Sequence, residues 1–255
     1  MVHSGGVTLG IVLAAVAAIL VGSTLQRLSG TGVGLVVAPV LAMLMGPALG
    51  VFVTNSTTVV SGFLIMLAVF RDVDWKRYLI FLPMALLGAV PAAFLVRELP
   101  AAWLNIVLGS VVLVALVLTF ATPRVPHVRN HTLTAAAGAV GGFLNTSAGV
   151  AAPAMVMYSR FARWDQRSFA ATMQPTFMTM GIFSVATKLL VGATAVGQLP
   201  PWWLFPIIVV TVVVGIRVGA WLASRVSLDA ARAVAITLAG VGGAVAVVRG
   251  VVMLV

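Results

Sequence analysis

Apolar runs long enough to cross a bilayer succeed one another along the whole chain, each closed by a few polar, glycine or proline residues. A helix needs roughly 20 apolar residues to span about 30 Å of hydrocarbon. That length predicts transmembrane helices over about 47–70, 78–96, 101–120, 168–190, 201–223 and 231–250. Two other apolar segments, 7–46 and 132–159, are interrupted, the first by "LSGTGVG" and the second by "LNTSAGVAAP". Non-helical backbone at membrane depth survives only where protein or a water-filled cavity satisfies its polar groups. Both interruptions are therefore expected to fold inward as hairpins and to line a site.

The order of elements repeats. "LSGTGVGLVVAPVL" aligns with "NTSAGVAAPAMVMY", and at a nearly constant spacing Phe63 falls on Phe183 and Gly88 on Gly215. Residues 1–120 then form a first transmembrane repeat, 121–131 a linker and 132–255 a second repeat, each holding one broken segment and three plain helices.

Composition agrees with a membrane protein: 62% of residues are hydrophobic and 8% charged, with a mean hydropathy of +1.17. The first apolar segment follows "MVHSGG", which lacks the basic flank of a cleaved signal peptide, so it reads as a retained span. The absence of cysteine removes disulfides, thiol chemistry and iron–sulfur ligation. A formal charge of +10 raises nucleic acid as a partner, but the basic residues are spread thinly over short loops, where they report orientation instead.

That orientation decides between two arrangements. If each broken segment crossed once, the repeats would be parallel and the loop charges would divide evenly. If each goes in and returns, the repeats are inverted, and Arg71, Lys76, Arg77, Arg124, Arg129, Arg160, Arg163, Arg167, Arg225 and Arg232 share one face against Arg97 and Arg249. Cytoplasmic loops carry the Lys/Arg excess. The expected fold is thus an all-α polytopic membrane protein of two inverted-topology repeats, each a broken or re-entrant helix hairpin plus three transmembrane helices. It would sit in the cytoplasmic (inner) membrane with both termini outside.

Candidate chemistry concentrates at the breaks. Gly30, Gly32 and Gly34 permit unusual dihedrals, Ser29 and Thr31 supply hydroxyls, and the amides of the helix restarting toward Pro39 point back at the break, an arrangement suited to an anion. Asn145, Thr146, Ser147 and Gly149 mirror it before Pro153. The following helices carry polar knots: Thr54, Asn55 and Ser56 with Thr57 and Thr58, and Gln174 and Pro175 between Thr172 and Thr176. Such amides hold helices together or hold a ligand. Arg217 is close enough to a helix end for snorkelling to be the first reading and attraction of an anion the second, and the same applies to Lys188 near the outer end of its helix.

Asp72, Asp74, Glu98, Asp165 and Asp229 all fall in loops or at helix ends, so no carboxylate relay is expected in the spans. His3, His127 and His131 belong to the tail or linker and read as solvated, not as metal ligands. No catalytic set, metal motif or cofactor motif stands out, and no enzyme activity is expected.

The runs "GSTLQRLSGTGVGLVVAPVL", "TNS", "DVDW", "LLGAVPAAFL" and "ELPAAWLNIVLG" in the first half, with "GGFLNTSAGVAAPAMVMY" and "VGIRVGAWLASRV" in the second, resemble the sulfite exporter TauE/SafE family of membrane anion permeases. The resemblance implies transport of a small anion, often a sulfur oxyanion or organosulfonate. Together these readings give a secondary transporter (permease) working by alternating access, its partners the lipid bilayer and a small anionic substrate. Homo-oligomerisation is left open. The alternative is a non-transporting membrane partner subunit whose polar knots are helix-packing glue.

Overall fold

The computed structural model describes residues 9–30, 33–121, 130–194 and 199–255, all helix and connecting turns, with no strand among them. The helices are α1 (Leu9–Ser29), α2 (Val33–Met45), α3 (Pro47–Val69), α4 (Trp75–Glu98), α5 (Ala101–Ala121), α6 (His131–Ala148), α7 (Ala152–Phe161), α8 (Gln166–Leu190), α9 (Leu204–Leu222) and α10 (Leu228–Val252). A 3-10 turn, Phe70–Asp72, joins α3 to α4. Each expected span becomes one helix, and each interrupted segment becomes a pair, α1 with α2 and α6 with α7. The expected linker, apart from its ends, and with it Arg124, His127 and Arg129, lies outside the described residues, as does His3.

Length and polarity separate the helices by role. α1, α3 with its 3-10 extension, α4, α9 and Ala233–Val252 of α10 are each long and apolar enough to cross a membrane. With 13 and 10 residues, α2 and α7 rise only about 20 and 15 Å, so each is a half-helix. α8 is long, at 25 residues, but it buries Thr172, Gln174, Thr176, Ser184 and Lys188. Packed against α3, α4 and α6, it has no need of an apolar face all round.

Contacts fix the helix directions. The Asp74 N–H donates to Thr172 Oγ1 (2.8 Å) and Arg167 pairs with Asp72 (3.0 Å), while at the far end of α4 Arg97 donates to the Val191 carbonyl (3.3 Å). α4 and α8 therefore run parallel. Gly215 packs on Leu20 and Ser23, and Gly219 on Thr24 and Arg27, so α1 and α9 are parallel as well. One end of the bundle is thus built from the α3–α4, α7–α8 and α9–α10 turns, with Arg71, Lys76, Arg77, Arg160, Arg163, Arg167 and Arg225, whereas Arg97 and Arg249 lie at the other. Trp75, Trp164 and Trp221 belong to the first end and Trp103, Trp202 and Trp203 to the second, the placing expected of aromatic belts at two membrane interfaces.

Lipid tails are as apolar as leucine, so helices associate by close packing and not by burial of oil. The α4–α6 and α1–α9 contacts use glycine for this. Gly88 sits against the Ala139 carbonyl and Gly142 against that of Ala85, with no space for a Cβ at either. Gly142→Leu should therefore cost about 1–3 kcal/mol or more through overpacking against backbone. Thermal unfolding in detergent is expected to show a Tm lower by several degrees or no monodisperse protein; an unchanged Tm would mean the interface is looser than described.

Candidate functional site

Both breaks are made in the same way. α1 ends at Gly30 (φ 78°) and α6 at Gly149 (φ 73°), left-handed conformations that glycine adopts without steric cost. The Gly30 N–H donates to the Gln26 carbonyl and the Gly149 N–H to the Asn145 carbonyl, each at 2.9 Å. After the second break Pro153, in the first turn of α7, needs no N–H partner there, so the chain restarts as a helix at once. The two breaks touch, since a Cβ added to Gly34 would collide with the Gly149 carbonyl.

The residue four places before each glycine carries a side-chain amide, and each amide grips the polar knot of a helix from the other half of the chain. On one side, Gln26 Nε2 donates to Gln174 Oε1 (2.9 Å), and Gln174 Nε2 donates to the carbonyls of Gly30 (3.1 Å) and Ala170 (2.8 Å). On the other, Asn145 Nδ2 donates to Asn55 Oδ1 (2.9 Å), and Asn55 Nδ2 donates to the Asn145 carbonyl (3.2 Å) and to Ser184 Oγ (2.7 Å). Ser61 Oγ adds a bond to Gln26 Oε1 (2.7 Å). All four amides are buried.

An amide NH2 carries two donors. Asn55 and Gln174 each spend both on the protein, which makes them the holding side of their clasps. Gln26 and Asn145 each spend one and keep one. Both of the latter line a cavity of about 20 Å³, together with Gly34, Thr58, Gly149 and the first residues of α2 and α7. The positive dipole ends of two half-helices therefore abut one small space. At that volume it has room for about one water molecule, so a larger ion requires the breaks to part.

Two wider cavities lie on the side of the arginine-rich end. One, of about 530 Å³, is lined by Arg27, Ser29, Gly30, Asp72, Arg167 and Gln174 among others and reaches Gln26 from that side. The second, of about 350 Å³, is lined by Ser29, Leu35, Pro153, Arg160 and Gln166 among others. Pro175, inside α8, leaves the Ala171 carbonyl without its helical donor, and Ala171 lines the first of these cavities.

The expected site residues thus divide. Gly30, Gly34, Asn55, Asn145, Gly149, Gln174 and Pro175 are brought together, with Thr54 buried beside Gly149 and Ser29 on the cavity walls. Thr31 and Gly32 lie outside the described residues. Ser56 is half-buried and turned to the Phe52 carbonyl, Ser147 bonds the Phe143 carbonyl, and Thr146 Oγ1 is buried without a partner. Arg217 is exposed on α9 and does not join the clasps. Lys188 departs furthest from expectation: it does not snorkel and is fully buried. Sequence reasoning missed Gln26, although the spacing that lays Asn55 on Gln174 also lays Gln26 on Asn145.

The family model described as sulfite exporter TauE/SafE matches residues 14–247 of the chain, a stretch that contains both breaks, both knots and all ten helix cores. The chain belongs to the sulfite exporter TauE/SafE family. Membership makes it a multi-pass membrane transporter of the sulfite-exporter type, and it is the ground for reading the chain as a transporter and not an enzyme. No curated protein and no solved structure matches it.

The holding role assigned to Gln174 has a measurable consequence. Gln174→Leu leaves Gln26 Nε2 without its acceptor and the Gly30 carbonyl without a donor, so it should destabilise the detergent-solubilised protein by about 1–3 kcal/mol. In a double-mutant cycle with Gln26→Leu, a coupling energy of about 0.6–2 kcal/mol is expected. Strict additivity would show that the clasp is not a unit.

Proposed function

We propose that the chain is a secondary transporter that moves a small anion, a sulfur oxyanion or organosulfonate, across the cytoplasmic membrane. It does so by alternating access between two inverted repeats, residues 1–120 and 132–255, joined by 121–131. The observation that carries this reading is the pair of like clasps, Gln26–Gln174 and Asn145–Asn55, each placed four residues before a left-handed glycine and each tying a helix break to the opposite half. Inverted repeats with discontinuous helices are a recurring way to build a site near the bilayer midplane.

The substrate enters this reading through charge. The cavity is lined by Gln26 and Asn145, each with one amide N–H not spent on the clasp, and by the starts of two half-helices, and no carboxylate lines it. That set suits an oxyanion and has nothing to neutralise a cation. Gln26, Asn145 and the first amides of α2 and α7 would bind the anion, with Ser29, Thr54, Asn55 and Gln174 supporting the geometry. Placing the arginine-rich end in the cytoplasm puts both wide cavities on the inner side and both termini outside. Asp72 and Asp165 also line the first of these cavities and Asp72 pairs with Arg167, so Arg27, next to Gln26, would be the residue that draws anions toward the clasp from within.

A ligand that binds only the folded state raises its melting temperature. Purified protein in detergent is expected to be stabilised by one member of a panel of sulfite, thiosulfate, sulfate, sulfoacetate, taurine and simple carboxylates. Gln26→Leu and Asn145→Leu should each remain folded and lose that shift. No shift with any anion would favour the partner-subunit reading, in which the clasps only hold helices together.

A further inference from the structure

Lys188 is the cation that the clasps leave unexplained. It stands two residues from the end of α8, yet it is 0% exposed, and its Nζ has no hydrogen-bond or ion-pair partner among the described residues. Taking an ammonium out of water costs several kcal/mol unless a partner repays it, and ionisable groups kept inside membrane spans mark ion pathways more often than packing. None of the usual repayments is present. α3, α6 and α8 contain no acidic residue, and Glu98, at the near end of α4, is exposed and paired with Arg97 at 2.7 Å. Asp72, Asp74 and Asp165 belong to the opposite end of the bundle.

Position gives the charge a use. Lys188 follows Ser184 by one helical turn on the same face of α8, and Ser184 Oγ accepts the hydrogen bond from Asn55 Nδ2. Long side chains on a helix lean toward its N-terminus, which carries Nζ back from the Lys188 backbone toward the clasp of Asn55 and Asn145. Thr194, whose N–H donates to the Lys188 carbonyl (3.4 Å), also buries an Oγ1 without a partner. A basic amine and a hydroxyl, neither with a partner among the described residues, therefore lie on the side of the Asn55–Asn145 clasp away from the two wide cavities.

We propose that Lys188 Nζ is an anion-binding position in its own right, the counter-charge that a sulfur oxyanion meets between the Asn55–Asn145 clasp and the membrane face bearing Arg97 and Arg249. This rests on the anion-transport reading above. It adds an asymmetry to the route: on the inner side the half-buried Arg27 collects the ion, and on the outer side one buried lysine holds it.

The test uses full-length protein in detergent with inorganic sulfite as probe. Lys188→Met should be folded and at least as stable as wild type without ligand, since a buried polar group without a partner has been removed. Its sulfite affinity should be at least tenfold weaker. Sulfite stabilisation equal to wild type would overturn the proposal while leaving the transporter reading intact. A wild type that responds to no sulfur anion would sink that reading and this inference with it. Should Lys188→Met fail to fold, Lys188→Cys decides, because it supplies the single thiol of a cysteine-free chain. In sealed proteoliposomes a small anionic, membrane-impermeant thiosulfonate reagent should label it, at least threefold more slowly with sulfite present. A thiol that is never labelled, or labelled at the same rate with sulfite, refutes the assignment.

Discussion

A break in a membrane helix exposes peptide groups that lipid cannot satisfy, and the rest of this fold follows from how two such breaks are satisfied. Each ends in a left-handed glycine and is tied down by an amide one turn earlier. Each of those amides is gripped by an amide from the opposite half of the chain. α3 and α8 lie at the centre because they carry the gripping residues, Asn55 and Gln174. α2 and α7 are short because they need only lead the chain back from the break to its own side of the membrane. The long apolar helices α4, α5, α9 and α10 then supply the packing around this core.

The same constraint shapes what the site can bind. Carbonyl oxygens around the breaks are largely taken by Gln174, Asn55 and the glycine amides, while Gln26, Asn145 and the starts of two half-helices line the cavity. A site in surplus of donors, with no carboxylate on its walls, would favour negative charge, as the proposed function requires. Family membership agrees, and it reaches this chain through the segments that build the breaks.

Much of the architecture was legible because the length of an apolar run depends on bilayer thickness, which no tertiary contact can change. The breaks were legible for a related reason: Gly, Ser, Thr and Asn seldom cluster inside a lipid-facing helix. Which side a residue faces was not legible. Arg217 and Lys188 both stand near helix ends, and the same snorkelling argument covered both, yet one is exposed and the other is fully buried on a helix packed against α3, α4 and α6. The difference comes from which neighbours cover each helix, and hydropathy does not encode that. Gln26 was overlooked because it stands before the break and outside the polar knots; its partnership with Gln174 gives it meaning. Ser56 shows the converse, a knot residue whose face turns it away from its neighbours' task.

The most direct measurement of the central claim is charge displacement on a solid-supported membrane when sulfite is applied to proteoliposomes, comparing wild type with the double variant Gln26→Leu/Asn145→Leu. Anion binding by the amides at the two breaks predicts a saturable sulfite-evoked current in wild type and none in a double variant that is still folded and incorporated at equal density. An undiminished current in that variant would contradict it and would move the site away from the helix breaks.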